Sequence, residues 1–321
     1  MLEEQTSAEP VINLDRAREW LGRVDVRADI AAPSKLATLF NGLELAESPP
    51  AIGADLPPLA HWLYFSSWGH SSETSENGDY LDPALPPIEL PRRVCIEHRI
   101  QFHRAIRVGD PISRLTRVVD VGERAGRAGP IVTLLLLHEI SDEQGVAVSE
   151  ERRLLYMARG EAWHASEPRR TSKPPEWSRR RQPDTRALFR YSALTCNMCR
   201  VHYDRPFALF VEGHPGLVVQ SELVAALMFD LLREHRPNAR VRSCDIRTLR
   251  WLFDSEPMFL FGRPHDESSV ELWAEDGHGR LAIEGFVTLA GAGSPACEDH
   301  APASHGVGHL ESRSQFSSLS G

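Results

Sequence analysis

The residues whose types and spacing could do chemistry lie in one stretch, Phe189-Arg-Tyr-Ser-Ala-Leu-Thr-Cys-Asn-Met-Cys-Arg-Val-His-Tyr-Asp-Arg-Pro-Phe-Ala208. His202 follows the carboxamide of Asn197 by five positions. An imidazole, with an ordinary pKa of ~6.5, takes and returns protons near neutrality. A carboxamide cannot act as a base, but it can orient a water molecule and accept one of its hydrogens through the C=O. After the Gly213-His-Pro-Gly216 turn, the chain enters its most apolar helical pattern, over 218–234. A helix N-terminus offers unpaired N–H groups and the positive end of a dipole to a developing negative charge. Gln220 and Ser221 at that end are therefore the expected anion pocket; Gly216 and Tyr191 are assigned to the same oxyanion and substrate pocket, with packing as the competing reading of Tyr191.

Other readings compete within the same stretch. Cys196-x-x-Cys199-x-x-His202 has a spacing that could hold zinc or form a redox pair. No second Cys-x-x-Cys supports it, so no metal is expected. Arg200 and Arg205 could meet phosphates or a carboxylate, since the guanidinium fork pairs with both; solvated charge is an equal alternative. Asp204 reads as an N-cap for a short helix through Arg205-Pro206-Phe207. No Gly-x-Ser-x-Gly, Walker loop or Gly-x-Gly-x-x-Gly fingerprint is present, and no nucleotide or other cofactor is implied.

These residues need a frame. In the 218–234 helix, Leu223, Leu227 and Leu231 repeat every four residues, and Val224 with Met228, and Ala225 with Phe229, fill neighbouring stripes. A helix apolar around most of its circumference is buried on most sides. Period-2 patterns follow it over 241–252, 258–263, 269–275 and 280–289, with a hairpin turn at Asp276-Gly-His-Gly279. Four similar patterns precede it, over 95–104, 112–121, 130–140 and 147–157. One long helix wrapped by a curved antiparallel sheet, a hotdog, satisfies both signals. Shorter helical patterns occupy 13–24 and 32–41, and the Ser-, Gly- and Pro-rich 66–87 is expected to be loop.

Phe102–Ile112 resembles Leu249–Phe259, with an acid-Pro step within one position of the same offset, so the chain reads as two copies of one fold. The expected organisation is α+β: an N-terminal degenerate hotdog over 1–158, a linker over 159–184, a second hotdog over 185–290 and a disordered tail over 291–321. The basic runs of the linker are read as a solvated connector.

Composition bounds the rest. The formal net charge of -9 over 321 residues gives no attraction to nucleic acid. No apolar run approaches the ~18 residues of a membrane span. The acidic N-terminus lacks the features of a signal or transit peptide, and the five cysteines are an odd number that argues against a disulfide framework. A cytoplasmic location is the expectation. Only Lys35 and Lys173 are lysines.

The stretch Tyr191–Ala208 resembles the hydratase motif of MaoC-like dehydratases, Tyr-x-x-x-Ser-Gly-Asp-x-Asn-x-x-His-x-Asp. It is closer to the double-hotdog branch that includes mesaconyl-C4-CoA hydratases, itaconyl-CoA hydratase-like proteins and type 2 hydroxyacyl-thioester dehydratases, where Asn commonly stands at the position of Asn197. Leu56–Phe65, Leu90-Pro-Arg-Arg93, Phe102–Asp110 and Val148-Ser-Glu-Glu-Arg152 also look like that branch. The resemblance spans about 10–290 and implies water addition to, or removal from, a short branched or dicarboxylic enoyl-CoA thioester. It implies His202 as general acid/base with Asn197 beside it, and an acyl-CoA as the partner, on a chain able to form a homodimer. The chain departs from the family at Cys196 (usually Phe), at Cys199 (usually His) and at Gln220-Ser221-Glu222, where the family has His-Gly-Pro. Serine keeps the N–H and narrows the space. A hotdog that binds acyl thioesters without turnover, and a hotdog thioesterase, are the alternatives.

Overall fold

A computed structural model of the protein describes residues 13–66, 69–126, 129–159 and 174–291. Ten strands form one antiparallel sheet among these residues: β1 (Val24–Ile30), β2 (Arg92–Phe102), β3 (Pro111–Ala125), β4 (Pro130–Asp142), β5 (Gly145–Met157), β6 (Trp177–Arg181), β7 (Val241–Thr248), β8 (Met258–Pro264), β9 (Ser269–Glu275) and β10 (Leu281–Leu289). Four α-helices accompany them: α1 (Leu14–Arg18), α2 (Pro33–Leu43), α3 (Thr185–Leu194) and α4 (Ser221–His235).

The strand order is β1-β3-β4-β5-β2-β7-β10-β9-β8-β6. Read outward from the central β2–β7 pair, both halves run through their fifth, fourth, third and first strands. The internal repeat is therefore a topological one. The resembling segments are the two connections from second to third strand, 103–110 and 249–257, and both turn apolar side chains inward: Ile106 and Val108 in one, Leu252 in the other. Each half wraps a helix, so the architecture is a double hotdog.

Helix α4 is the main internal support. Leu223, Val224, Leu227, Met228, Phe229 and Leu231 are all buried; each such side chain contributes about 1.5–3 kcal/mol through burial. Helix α2 is shorter, and its Leu36, Leu39, Phe40 and Leu43 join the same core. The long segment 44–91 follows α2 and includes a short 3-10 turn at Ser71–Glu73 within the expected loop.

Two elements depart from the sequence reading. Strand β1 alternates, but inside out: Val24, Val26 and Ile30 are exposed, while Asp25 and Arg27 face the interior cavity. The helix expected over 13–24 therefore stops at Arg18 and gives way to this strand. The second departure is in the expected linker, of which 160–173 lie outside the described residues. Trp177–Arg181 is a strand paired with β8, not a solvated connector. Its Arg179 donates to Asp230 of α4 at 2.6 Å and also pairs with Glu234. Asp230 has no exposed surface, and Arg233 is its other charged partner at 3.0 Å. The expected tail beyond Gly291 also lies outside the described residues.

Removing one partner of a buried ion pair leaves an uncompensated charge. Arg179→Met is expected to destabilise the protein by about 3 kcal/mol, read as a lower urea midpoint at unchanged slope. An undiminished midpoint would show that Arg233 alone satisfies Asp230.

Candidate active site

The active stretch begins where α3 stops. Asn197 N–H donates to the Ser192 carbonyl at 2.8 Å and Cys196 N–H to that of Ala193 at 3.4 Å, the paired bonds of a Schellman termination. This motif puts its penultimate residue in the left-handed region, where glycine is usual; here it is Cys196, at φ 53°. The chain then reverses, and the Asn197 side-chain oxygen accepts from Cys199 N–H at 3.1 Å. The Asn197 amide nitrogen has no hydrogen-bond partner among the described residues.

His202 ends a 3-10 turn, Arg200–His202. Its Nδ1 donates to the Val218 carbonyl at 2.8 Å. That bond puts the ring proton on Nδ1 and leaves the Nε2 lone pair free. The acceptor is itself fixed, because Val218 N–H donates to Val201 and Val219 N–H to Leu252, both at 2.9 Å. Burial lowers the His202 pKa below 6.5, outweighing the Val218 carbonyl and the Glu222 and Asp79 charges that favour the proton. The ring is therefore neutral at neutral pH, the state a base requires.

Two residues beyond Val218, Gln220 caps α4 only in position. Its side chain makes no capping bond because the amide nitrogen is turned inward, to the Leu188 carbonyl at 3.1 Å and Ser192 Oγ at 2.9 Å. The Gln220 Oε1 is buried without a partner among the described residues. Gln220 thus caps none of the first N–H groups of α4; the Glu222 carboxylate in the first turn accepts from its own N–H, and the Ser221 N–H receives no cap from Gln220.

His202, Asn197, Tyr191, Gln220 and Ser221 all line one cavity of about 360 Å³, within the range of small-molecule sites. Three expected residues are not brought to it. Gly216 packs against Asp254 and Ser255. Arg205 pairs with Asp254. Arg200 pairs with Asp204 at 2.7 Å and lies over the Phe207 ring. Asp204 does act as a cap, accepting from Phe207 N–H at 3.2 Å; the helix it starts has π-type hydrogen bonding over Phe207–Val211. The Cys196, Cys199 and His202 ligand atoms do not converge. Among the described residues, the group close enough to share an ion is instead Cys95, His98 and Glu222, and there Arg152 pairs with Glu222 at 3.1 Å.

The segment read as loop holds the active stretch in place. Asn77 is buried; its carbonyl accepts from Arg200 N–H at 2.8 Å and the Glu76 carbonyl from the Arg200 guanidinium at 3.2 Å. Asp79 pairs with Arg93 of β2 at 3.1 Å. Between them Gly78 sits at φ 85°, and a Cβ there would collide with the Met198 carbonyl oxygen.

Sequence reasoning missed the cavity's other wall, which comes from the N-terminal half. Cys95, Arg114, Thr116, His138 and Arg152 line it. Behind them Glu150 accepts from Trp62 at 3.0 Å and joins His61 at 3.2 Å and His98 at 2.7 Å. The far ring nitrogen of His98 lies 3.2 Å from Cys95 Sγ. Burial opposes charge on His98, but Cys95 and Glu150 prevail and push its pKa up to about 10. The available signal was polar residues at inward positions of strands: Arg114 and Thr116 two apart, and Glu150 and Arg152 two apart.

A double hotdog with a neutral histidine and an uncapped helix terminus opening on one cavity is a hydratase-type acyl-thioester fold. Residues 59–254 match the hydroxyacyl-thioester dehydratase type 2 family. A mesaconyl-C(4)-CoA hydratase from Chloroflexus aurantiacus is 35% identical over 277 residues, covering 85% of this chain and 97% of that protein. Among solved structures, HtdX of Mycobacterium tuberculosis superposes with a TM-score of 0.60 at 18% identity, over 84% of this chain and 100% of that one. A second protein from that organism, described as a double hotdog, gives 0.55 at 14% identity over 84% and 96%. The chain belongs to the hydroxyacyl-thioester dehydratase type 2 family, and it is an acyl-thioester hydratase/dehydratase.

Gly78→Ala forces a strained backbone and a collision at once, at a cost of about 1–3 kcal/mol. Because that contact positions Met198 between Asn197 and His202, kcat/KM is expected to fall at least ~10-fold, with a lower melting temperature. Wild-type kinetics in the variant would show that the loop does not position the site.

Proposed function

We propose that this enzyme adds water to a short branched or dicarboxylic enoyl-CoA, with His202 as the single general acid/base. The observation that carries the reading is the His202 Nδ1 bond to Val218 O, which leaves Nε2 free in a cavity that also reaches the start of α4. Nε2 takes a proton from water, and the hydroxide adds to the β-carbon. The displaced π electrons move onto the thioester oxygen, forming an enolate that the Ser221 N–H at the start of α4 stabilises. The imidazolium then returns its proton to the α-carbon on the same face. Asn197 orients the water through its free amide N–H groups, since its oxygen already accepts from Cys199. The similarity to a mesaconyl-C(4)-CoA hydratase supports a branched dicarboxylic acyl group.

A second reading, thioester cleavage, has one observation in its favour. Cys95 Sγ, the protonated His98 and Glu150 form a nucleophile, acid and orienting carboxylate at 3.2 Å and 2.7 Å on a cavity-lining thiol. Attack by Sγ on the carbonyl would release CoA, with the His98 proton going to the departing thiolate and water then freeing the acid. Thiol release lost in Cys95→Ser identifies this route. Loss of double-bond absorbance without thiol release identifies hydration.

His202→Ala is expected to lower kcat/KM for hydration of mesaconyl-C4-CoA or crotonyl-CoA by ~100-fold or more, and retention of activity would sink the assignment. Since the base must be neutral and its pKa is lowered, activity should persist below pH 6.5 before falling on the acid side. An acid limb of the kcat/KM profile above pH 6.5 would contradict a buried His202 base.

A further inference from the structure

The arginines around the cavity are mostly spoken for. Arg27 pairs with Asp25 and Asp82, Arg93 with Asp79, Arg92 with Glu212 and Arg152 with Glu222. Arg114 is different: no carboxylate pairs with it among the described residues. Its guanidinium lies 5.3 Å from the centre of the Phe65 ring, and its Nε is buried without a hydrogen bond. Burial, together with Arg152 and Arg27, pulls its pKa down to about 10 against the opposing attraction of Glu150 and Asp82, and it remains charged at neutral pH. Arg250 has no carboxylate either, but it leaves no buried donor unpaired.

A second orphan lies on the neighbouring strand. His138 is 4% exposed, and its Nδ1 is 2.9 Å from Thr116 Oγ1, its cross-strand partner. Burial and Arg114 hold the ring neutral, well below its usual pKa. Its Nε2 is buried with no partner among the described residues, and in the tautomer where the Thr116 hydroxyl donates to Nδ1 it carries the ring proton. Arg114, Thr116 and His138 all line the cavity.

A buried donor left unpaired costs free energy, and a buried cation in contact with no carboxylate, with Glu150 and Asp82 acting on it only through space, costs more. One ligand group answers both cavity-lining residues: an anion with two acceptor oxygens, one for the Arg114 guanidinium and one for the His138 ring. We propose that Arg114 and His138 form a carboxylate-binding subsite for the free carboxylate of a dicarboxylic acyl group. The inference rests on the reading that an acyl thioester fills this cavity. It adds the residues that separate such an acyl group from a plain fatty acyl one. The subsite lies on β3 and β4 of the N-terminal half, whereas the thioester oxygen is held by α4 of the C-terminal half. Substrate reading and proton transfer thus fall to different copies of the repeat.

The test is calorimetric binding of succinyl-CoA and butyryl-CoA, which differ at the far end of the acyl chain, and of the corresponding pantetheine thioesters. Wild-type protein is expected to bind succinyl-CoA about 10- to 100-fold more tightly than butyryl-CoA, the range of a charge-assisted hydrogen bond. Arg114→Met should abolish that ratio, Arg114→Lys should keep part of it and His138→Phe should lose a smaller share. The ratio is taken on one preparation, so partial misfolding of a variant does not alter it. No preference in the wild type, or an undiminished one in Arg114→Met, overturns the subsite. So does a loss shared equally by both CoA esters and absent from both pantetheine esters, which would assign Arg114 to a CoA phosphate. Hydration of crotonyl-CoA by the wild type tests the hydratase reading separately, because it requires no distal carboxylate.

Discussion

The site depends on one bond, from the His202 ring to the carbonyl of Val218. A histidine in a 3-10 turn has two interchangeable nitrogens, and only a fixed acceptor makes them different. Val218 is a fixed acceptor because 217–219 is held on both sides: Leu217 N–H donates to Asp254 at 2.8 Å, Val219 N–H to Leu252 and Val218 N–H to Val201. The same short segment leads directly into α4. One stretch of backbone therefore sets the histidine tautomer and the origin of the helix that would receive the negative charge.

The second constraint is charge. The cavity is lined by residues that would be costly to bury singly, and nearly all are paired across the chain. Asp79 meets Arg93, Glu212 meets Arg92 and Arg159, and Glu222 meets Arg152. These pairs are not evidence of stability, since desolvation offsets their attraction. They join the loop 76–79, the turn at 212 and the first turn of α4 to the β2 and β5 strands and to Arg159. The active stretch is thereby fastened to the other half of the sheet.

The two halves have diverged in what they carry, while keeping one strand order. The C-terminal copy has the long helix and the histidine. The N-terminal copy has a shorter helix, and the inner faces of β1, β3, β4 and β5 have polar and charged residues where a core would be apolar. That exchange is why the N-terminal half resisted reading. Strand β1 was invisible as a buried strand because its valines face out. Strand β6 was obscured by Trp177-Ser-Arg-Arg-Arg181, whose Arg179 meets a carboxylate inside α4.

By itself the sequence determined the local periods and the chemical parts. The eight strands of the two meanders and the buried helix α4 were legible because period-2 and period-3.6 patterns are local, and a short motif singled out His202 and Asn197, which both line the cavity. Tertiary structure decided which parts meet. Arg200 and Arg205 were offered as ligand contacts, but Asp204 and Asp254 take them up. Arg114 and His138 carried no motif, yet both line the cavity, and each keeps a buried nitrogen without a hydrogen-bond partner among the described residues. Whether a charge is free or already satisfied depends on residues tens of positions away, and only the folded chain brings those together.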